Sequence, residues 1–212
     1  SLPDPKYLGP LLVAWGASIL IMVRQKDLGS SLLFFAVFAA MLYITTEKGS
    51  YLAVSLVLFL GGATIAYQLF GHVRDRVTTW LDPWPLAQGA GYQLVQSMFA
   101  LGSGGVWGAG LGLGSPKVIP NVATDFVISA IGEELGIIGA IAVIAAIVLL
   151  CGSGFRIALQ SNRPFSKLFA AGLTTIIGVQ TFVIIGGCIR VIPLTGVTLP
   201  FCLLYTSPSP RD

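Results

Sequence analysis

From Leu135 to Gly152 the chain reads LGIIGAIAVIAAIVLLCG, eighteen residues without a charge. As an α-helix such a run extends about 27 Å, close to the roughly 30 Å hydrocarbon core of a bilayer. Helix formation also pairs every backbone N–H and C=O within the segment, which lipid cannot do. Runs of the same kind occupy 8–23, 28–46, 51–70 and 168–189, so about five spans are expected. The first is short, and it crosses only if Arg24 and Lys26 carry their charges to the interface on extended aliphatic stems. Composition agrees: 55% of the 212 residues are hydrophobic and 10% charged, against about 25% charged in soluble domains. The expected class is an all-α polytopic membrane protein.

Two function classes fall away at once. The net charge of +3 is small and the basic residues are scattered between spans, so no nucleic-acid partner is implied. Cys151, Cys188 and Cys202 sit unpaired in apolar surroundings and His72 is the lone histidine, so neither a zinc site nor a disulfide framework has ligands to build from.

Residues 71–132 break the pattern. Charges return, Pro83, Pro85, Pro116 and Pro120 interrupt any helix, and seven of the thirteen residues from Gly102 to Gly114 are glycine. Each glycine costs a helix about 1 kcal/mol relative to alanine, so this stretch reads as a long structured loop with helical spacing only over Gly91–Leu101. The loop Ser153–Lys167 carries Arg156, Arg163 and Lys167 without an acid, which places it in the cytoplasm. Counting back, loop 71–132 lies outside. Ser1–Tyr7 lacks the features of a signal peptide and reads as the remainder of a loop. After the fifth span, Pro193–Phe201 is too rich in Pro and Gly to cross, and irregular backbone at that depth must line protein or a wet cavity.

Several short motifs now stand in order: Asp27-Leu28-Gly29-Ser30; Arg76 with Leu81-Asp82-Pro83; Gly91-Tyr92-Gln93 with Gln96-Ser97; Ser103-Gly104-Gly105 with Gly108-Ala109-Gly110-Leu111-Gly112; Thr124-Asp125-Phe126 with Gly132-Glu133-Glu134-Leu135-Gly136; and Pro193-Leu194-Thr195-Gly196-Val197-Thr198-Leu199-Pro200-Phe201. Together they resemble the SEDS family of RodA, FtsW and SpoVE over Leu2–Phe201. The resemblance implies a ten-helix fold of which residues 1–201 are a part. It also implies a peptidoglycan glycosyltransferase that polymerises lipid II, working with a class B penicillin-binding protein in the bacterial plasma membrane. The chain departs from the family in two places. Pro120-Asn121 and Ala123 stand where the family often has Pro-Glu and then His. Residues 202–212 replace the usual Ser-Tyr-Gly-Gly-Ser, so this tail is expected to be non-native.

Asp125 admits two readings. It can cap a helix starting at Phe126, a role worth about 1 kcal/mol, or, as the resemblance implies, match the family's essential aspartate and act as general base. Glu133 and Glu134 either complement the helix dipole at the start of the fourth span or orient Asp125, substrate or a divalent cation near the pyrophosphate. Arg76 and Lys117 are expected to face the pyrophosphate of a polyprenyl-linked glycan, with Gln93 as a further substrate contact. Arg190 marks an interface or joins them. Trp80, Trp84 and Trp107 fit an interfacial aromatic belt. The Gly108–Gly114 alternation has no preceding strand and no Gly-Lys-Ser, so close packing or loop flexibility explains it better than nucleotide binding. No cofactor is certain, and a divalent cation is the one possibility. A lipid II flippase would want polar residues inside opposing spans, which are nearly absent here, and a docking scaffold would not need Asp125. The polymerase reading uses the most residues.

Overall fold

The computed structural model describes residue 16 and residues 28–197, 199 and 200. Apart from residue 16, the expected span 8–23 lies outside the described residues, as does the tail 202–212. Six α-helices follow in order: α1 Leu28–Thr46, α2 Gly49–Leu69, α3 Gly71–Leu81, α4 Tyr92–Gly104, α5 Val127–Gln160 and α6 Pro164–Cys188. Short 3-10 turns stand at Trp84–Leu86 and Pro116–Val118. Among the described residues there is no strand, and α1, α2, α5 and α6 are long and apolar enough to cross a membrane.

The chain divides into two compact units, one of the chain up to Arg74 with Val148–Val179, the other of Asp75–Ile147 with Gln180 onward. In the first, α1 packs on α2 and the Phe35 and Phe59 rings meet with centroids 5.6 Å apart. Within α2 no residue is buried, and Val57 and Leu69 are among its exposed side chains. Such all-round apolarity suits lipid, where helices gain nothing from hiding an apolar face. Polar side chains are satisfied locally: Thr45, Thr46 and Thr64 donate their hydroxyls to the carbonyls of Met41, Leu42 and Gly61, the usual recourse of threonine in an apolar helix.

The second unit holds the core. Ala100, Ile119, Phe126, Ile128, Ile184, Cys188 and Leu199 form one buried cluster, joining α4, the start of α5, the end of α6 and the irregular Pro193–Pro200 segment. Polar groups enter it only as a bonded set. The Ser97 and Ser129 hydroxyls lie 2.6 Å apart, and Ser97 also donates to the Cys188 carbonyl at 3.4 Å.

Loop 71–132 is more helical than its prolines and glycines lead one to expect. It contains α3 and α4, and α4 ends where the glycines crowd. The expected fourth span also grows: α5 starts at Val127 and reaches Gln160, so much of the expected basic loop Ser153–Lys167 is helix and only Ser161–Arg163 separates α5 from α6. Inside α5 the backbone breaks at Gly136, with φ 70° and ψ −170°. The break frees carbonyls on one side and amides on the other, and the glycine-rich loop pairs both. Ala109 and Gly110 amides donate to the carbonyls of Glu133 and Glu134 at 2.9 and 3.0 Å, while Ile137 and Ile138 amides donate to Gly105 and Val106 carbonyls at 3.0 and 3.4 Å. Backbone can come this close only without side chains between. A β-carbon on Gly104 would sit 2.8 Å from Glu133 Cα, and one on Gly108, at φ 82°, 2.5 Å from the Glu134 carbonyl carbon. Close packing is therefore the use of Gly104 and Gly108.

Candidate active-site cleft

A cleft of about 220 Å³ opens in the second unit. Asp75, Arg76, Thr79 and Trp80 of α3, Ala90, Gln93 and Leu94 around the start of α4, Asp125 and Phe126, and Leu194 and Gly196 line it. The irregular segment after the fifth span thus does line a cavity.

Asp125 is held by its backbone. Asn121, in the left-handed region at φ 56°, turns the chain so that Asp125 N donates to the Asn121 carbonyl at 3.0 Å. On the other side, the Cys188 thiol donates to the Asp125 carbonyl at 3.3 Å. Cys188 is therefore more than the small apolar filler its surroundings imply. The helix itself starts one residue later than expected, at Val127, and the Phe126 carbonyl accepts from Ser129 and Ala130 amides. Burial raises the Asp125 carboxyl above its ordinary value, while a hydrogen bond with the Thr124 side chain and the Arg76 charge pull it partly back. A carboxylate so placed holds a proton more readily than one in water.

Arg76 is oriented by a bond from Nη1 to the Leu194 carbonyl at 3.1 Å, leaving donors of its five-donor fork for a ligand. Gln93 shares the cleft. Lys117 falls in the Pro116–Val118 turn, and its side chain is outside what the structure describes. Glu133 and Glu134 do not line this cleft. They are not in the first turn of α5 either, as a dipole role at the span start requires; they sit just before the Gly136 break, because α5 begins upstream at Val127. Glu133 Oε1 instead accepts from the Ser115 amide at 2.9 Å, fastening the glycine-rich loop a second time. Among the described residues no group of three or more His, Cys, Asp and Glu is arranged to hold a metal ion.

Arg190 does not line the cleft and is engaged with the end of α3. Its Nε donates to the Trp80 carbonyl at 2.7 Å and Nη2 to the Leu81 carbonyl, occupying the unpaired end of α3. Trp80 Nε1 donates back to the Arg190 carbonyl at 3.0 Å. Of the three tryptophans expected in an aromatic belt, Trp84 and Trp107 are exposed while Trp80 is half-buried and lines the cleft. Asp75 and Thr79 also belong to the cleft. The helical spacing that places 75, 76, 79 and 80 on neighbouring faces of α3 was the available signal, hidden once this stretch reads as loop.

Helices of membrane-spanning length together with a cleft that holds a part-buried carboxyl define a polytopic membrane protein with a polar cleft. A family model for FtsW, RodA and SpoVE, described as cell cycle proteins, matches residues 2–203, and the chain belongs to that family. The peptidoglycan glycosyltransferase RodA of Mycobacterium bovis is 45% identical over 201 residues, 95% of this chain and 43% of that protein. A probable peptidoglycan glycosyltransferase FtsW of Geobacter metallireducens is 36% identical over 194 residues, covering 91% of this chain and 52% of that protein. Among solved structures, a chain of a peptidoglycan synthase complex, described as coordinating polymerization and crosslinking, matches with a TM-score of 0.69 and 27% identity over 89% of this chain and 53% of that one. This chain spans about half the length, or less, of these relatives.

Proposed function

We propose that the protein containing this chain is a peptidoglycan glycosyltransferase of the bacterial plasma membrane that polymerises lipid II, with the cleft on the outer face. The observation that carries the reading is the pairing in one cleft of a partly buried Asp125 with the tethered guanidinium of Arg76. The names of the relatives support it.

In this reaction Asp125 takes the proton of the acceptor sugar's 4-hydroxyl. The freed oxygen forms a bond to the anomeric carbon of the lipid-linked glycan as the bond from that carbon to the pyrophosphate breaks. Polyprenyl pyrophosphate leaves, and Arg76 stabilises the charge that develops on it. Lys117, in the turn at Pro116–Val118, is the second cation proposed for that leaving group. A divalent cation, were one used, would be held by Asp75, the other carboxylate lining the cleft, and would offset charge on the pyrophosphate; a loss of turnover in chelator restored by Mg²⁺ is its signature. Lipid tails reach the cleft from the bilayer, and a class B penicillin-binding protein cross-links the product.

The test is the turnover of lipid II by the complete protein with Asp125→Asn. A general base contributes about 10²–10⁴-fold, so product should fall by at least a hundredfold while the protein still inserts and folds. Undiminished polymerisation would end this reading.

A further inference from the structure

Trp80 is fixed more firmly than a tryptophan at a membrane surface needs to be. Its carbonyl accepts from Arg190 Nε at 2.7 Å, and its indole N–H donates to the Arg190 carbonyl at 3.0 Å, a reciprocal pair across 110 residues of chain. Arg190 takes up the left-handed region, φ 60°, to present both groups at once, a conformation that a non-glycine residue adopts only where its surroundings hold it. With its N–H committed and its backbone capped, what Trp80 has left to offer the cleft it lines is the hydrocarbon of the indole. Around the same cleft stand Asp75, Gln93 and Asp125, planar groups able to accept or exchange hydrogen bonds with neighbouring hydroxyls.

An apolar ring face bordered by a few planar polar side chains complements one ligand chemistry above others: a pyranose, whose axial C–H bonds form an apolar patch and whose hydroxyls radiate from the rim. Ligand sites in general combine aromatic walls with a few placed polar groups. We infer that Trp80 is the platform on which a sugar ring of the substrate lies, with Gln93 and Asp75 addressing its hydroxyls, and that Arg190 is a positioning residue that holds the platform. The assignment rests on the glycosyltransferase reading and adds the saccharide subsite to it.

Two substitutions in the complete protein separate the ring face from the fold. Trp80→Phe and Trp80→Leu both remove the indole N–H and its bond to Arg190, and only Phe keeps an aromatic face. With lipid II as the probe, the Leu variant should show a KM raised about tenfold over the Phe variant, the size of one lost aromatic contact. The pH profile of kcat, set by Asp125, should not move. Equal KM values for Phe and Leu, each near that of the unaltered protein, overturn the proposal while leaving polymerisation by Asp125 standing. No turnover of lipid II by the unaltered protein would instead refute the glycosyltransferase reading on which the subsite rests. Should the Leu variant fail to fold, replacing every other tryptophan of the complete protein by Phe, Trp15, Trp84 and Trp107 among them, leaves Trp80 as the sole indole. Its emission should then change on titration with lipid II and saturate near the KM, and an unchanged emission would count decisively against the platform.

Discussion

Gly136→Ala should be among the most damaging single-methyl changes available in this chain. Gly136 holds φ 70° and ψ −170°, a combination nearly closed to residues with a β-carbon and costing about 1–3 kcal/mol. The added methyl would also lie well inside van der Waals contact distance of the Val106 carbonyl oxygen and 2.5 Å from the Gly108 nitrogen. Both are backbone atoms, so no rotamer change relieves the overlap, and the glycine-rich loop has to withdraw by about 1 Å. Withdrawal breaks or stretches the bonds that Ala109, Gly110, Ile137 and Ile138 make across the break, at about 0.5–1.5 kcal/mol each. The total is roughly 3–9 kcal/mol against a typical stability of 5–15. Gly102→Ala is the control: it lies inside α4, where an added β-carbon would meet nothing within 4 Å, and should gain up to about 1 kcal/mol. Thermal unfolding in detergent should show the Gly136 variant melting roughly 6 °C or more below the parent, with faster amide exchange at residues 105–110 and 137–138. If the two glycine variants melt together, the break is not clamped by the loop.

Two further outcomes follow from the site and the core. On the proposed role of Asp125 as a base active when ionised, burial of its carboxyl means that the rate should climb with pH through a midpoint above the ordinary aspartate range. Arg76 opposes that rise, so Arg76→Gln should move the midpoint of the kcat profile to still higher pH; a midpoint that stays or falls contradicts the pairing. The same sign governs stability: an acid with a raised folded value favours the fold at low pH and withdraws that support as pH climbs through it. At neutral pH Asp125→Asn should therefore leave the melting temperature equal or higher even as activity is lost. In the core, Ser97→Ala leaves the Ser129 hydroxyl buried without its 2.6 Å partner, a loss of about 1–3 kcal/mol. Ser97→Ala with Ser129→Ala should cost less than the two single changes added together, and strict additivity in a double-mutant cycle would show that the hydroxyls do not interact.

The helices were legible because lipid leaves so few options: an uncharged run of eighteen residues such as Leu135–Gly152 has no other way to pair its backbone. The break at Gly136 was not legible. A glycine inside an apolar run is ordinarily tolerated by a helix, and nothing local in Glu-Glu-Leu-Gly-Ile-Ile-Gly says that carbonyls and amides there will be taken by a loop thirty residues upstream. The glycine run disclosed that something packs closely on it, without disclosing what. Asp125, Arg76 and Gln93 stood out through the motifs of the family the chain resembles, and the structure gathers all three into one cleft. Trp80 did not stand apart from Trp84 and Trp107, since the three share a residue type and a loop and differ only in tertiary partners. Glu133 and Glu134 drew attention by charge, yet it is Glu133's bond to Ser115 and the carbonyls of both that the fold uses.

One short stretch explains why the cleft needs so few residues of its own to be rigid. Cys188, at the end of α6, holds the Asp125 carbonyl; Arg190, two residues on, holds Trp80 and the end of α3; the Leu194 carbonyl, four further, holds Arg76. Asp125, Trp80 and Arg76 are thus each tied to residues 188–194, which follow one another in the chain and leave the helical path at Arg190, where φ turns to 60°. Each tie has a main-chain carbonyl at one end, which cannot swing to another rotamer. The relative positions of Asp125, Trp80 and Arg76 are then set by the path of seven residues of backbone, and that path is in turn fixed by the burial of Cys188 and Leu199 in the core beneath it.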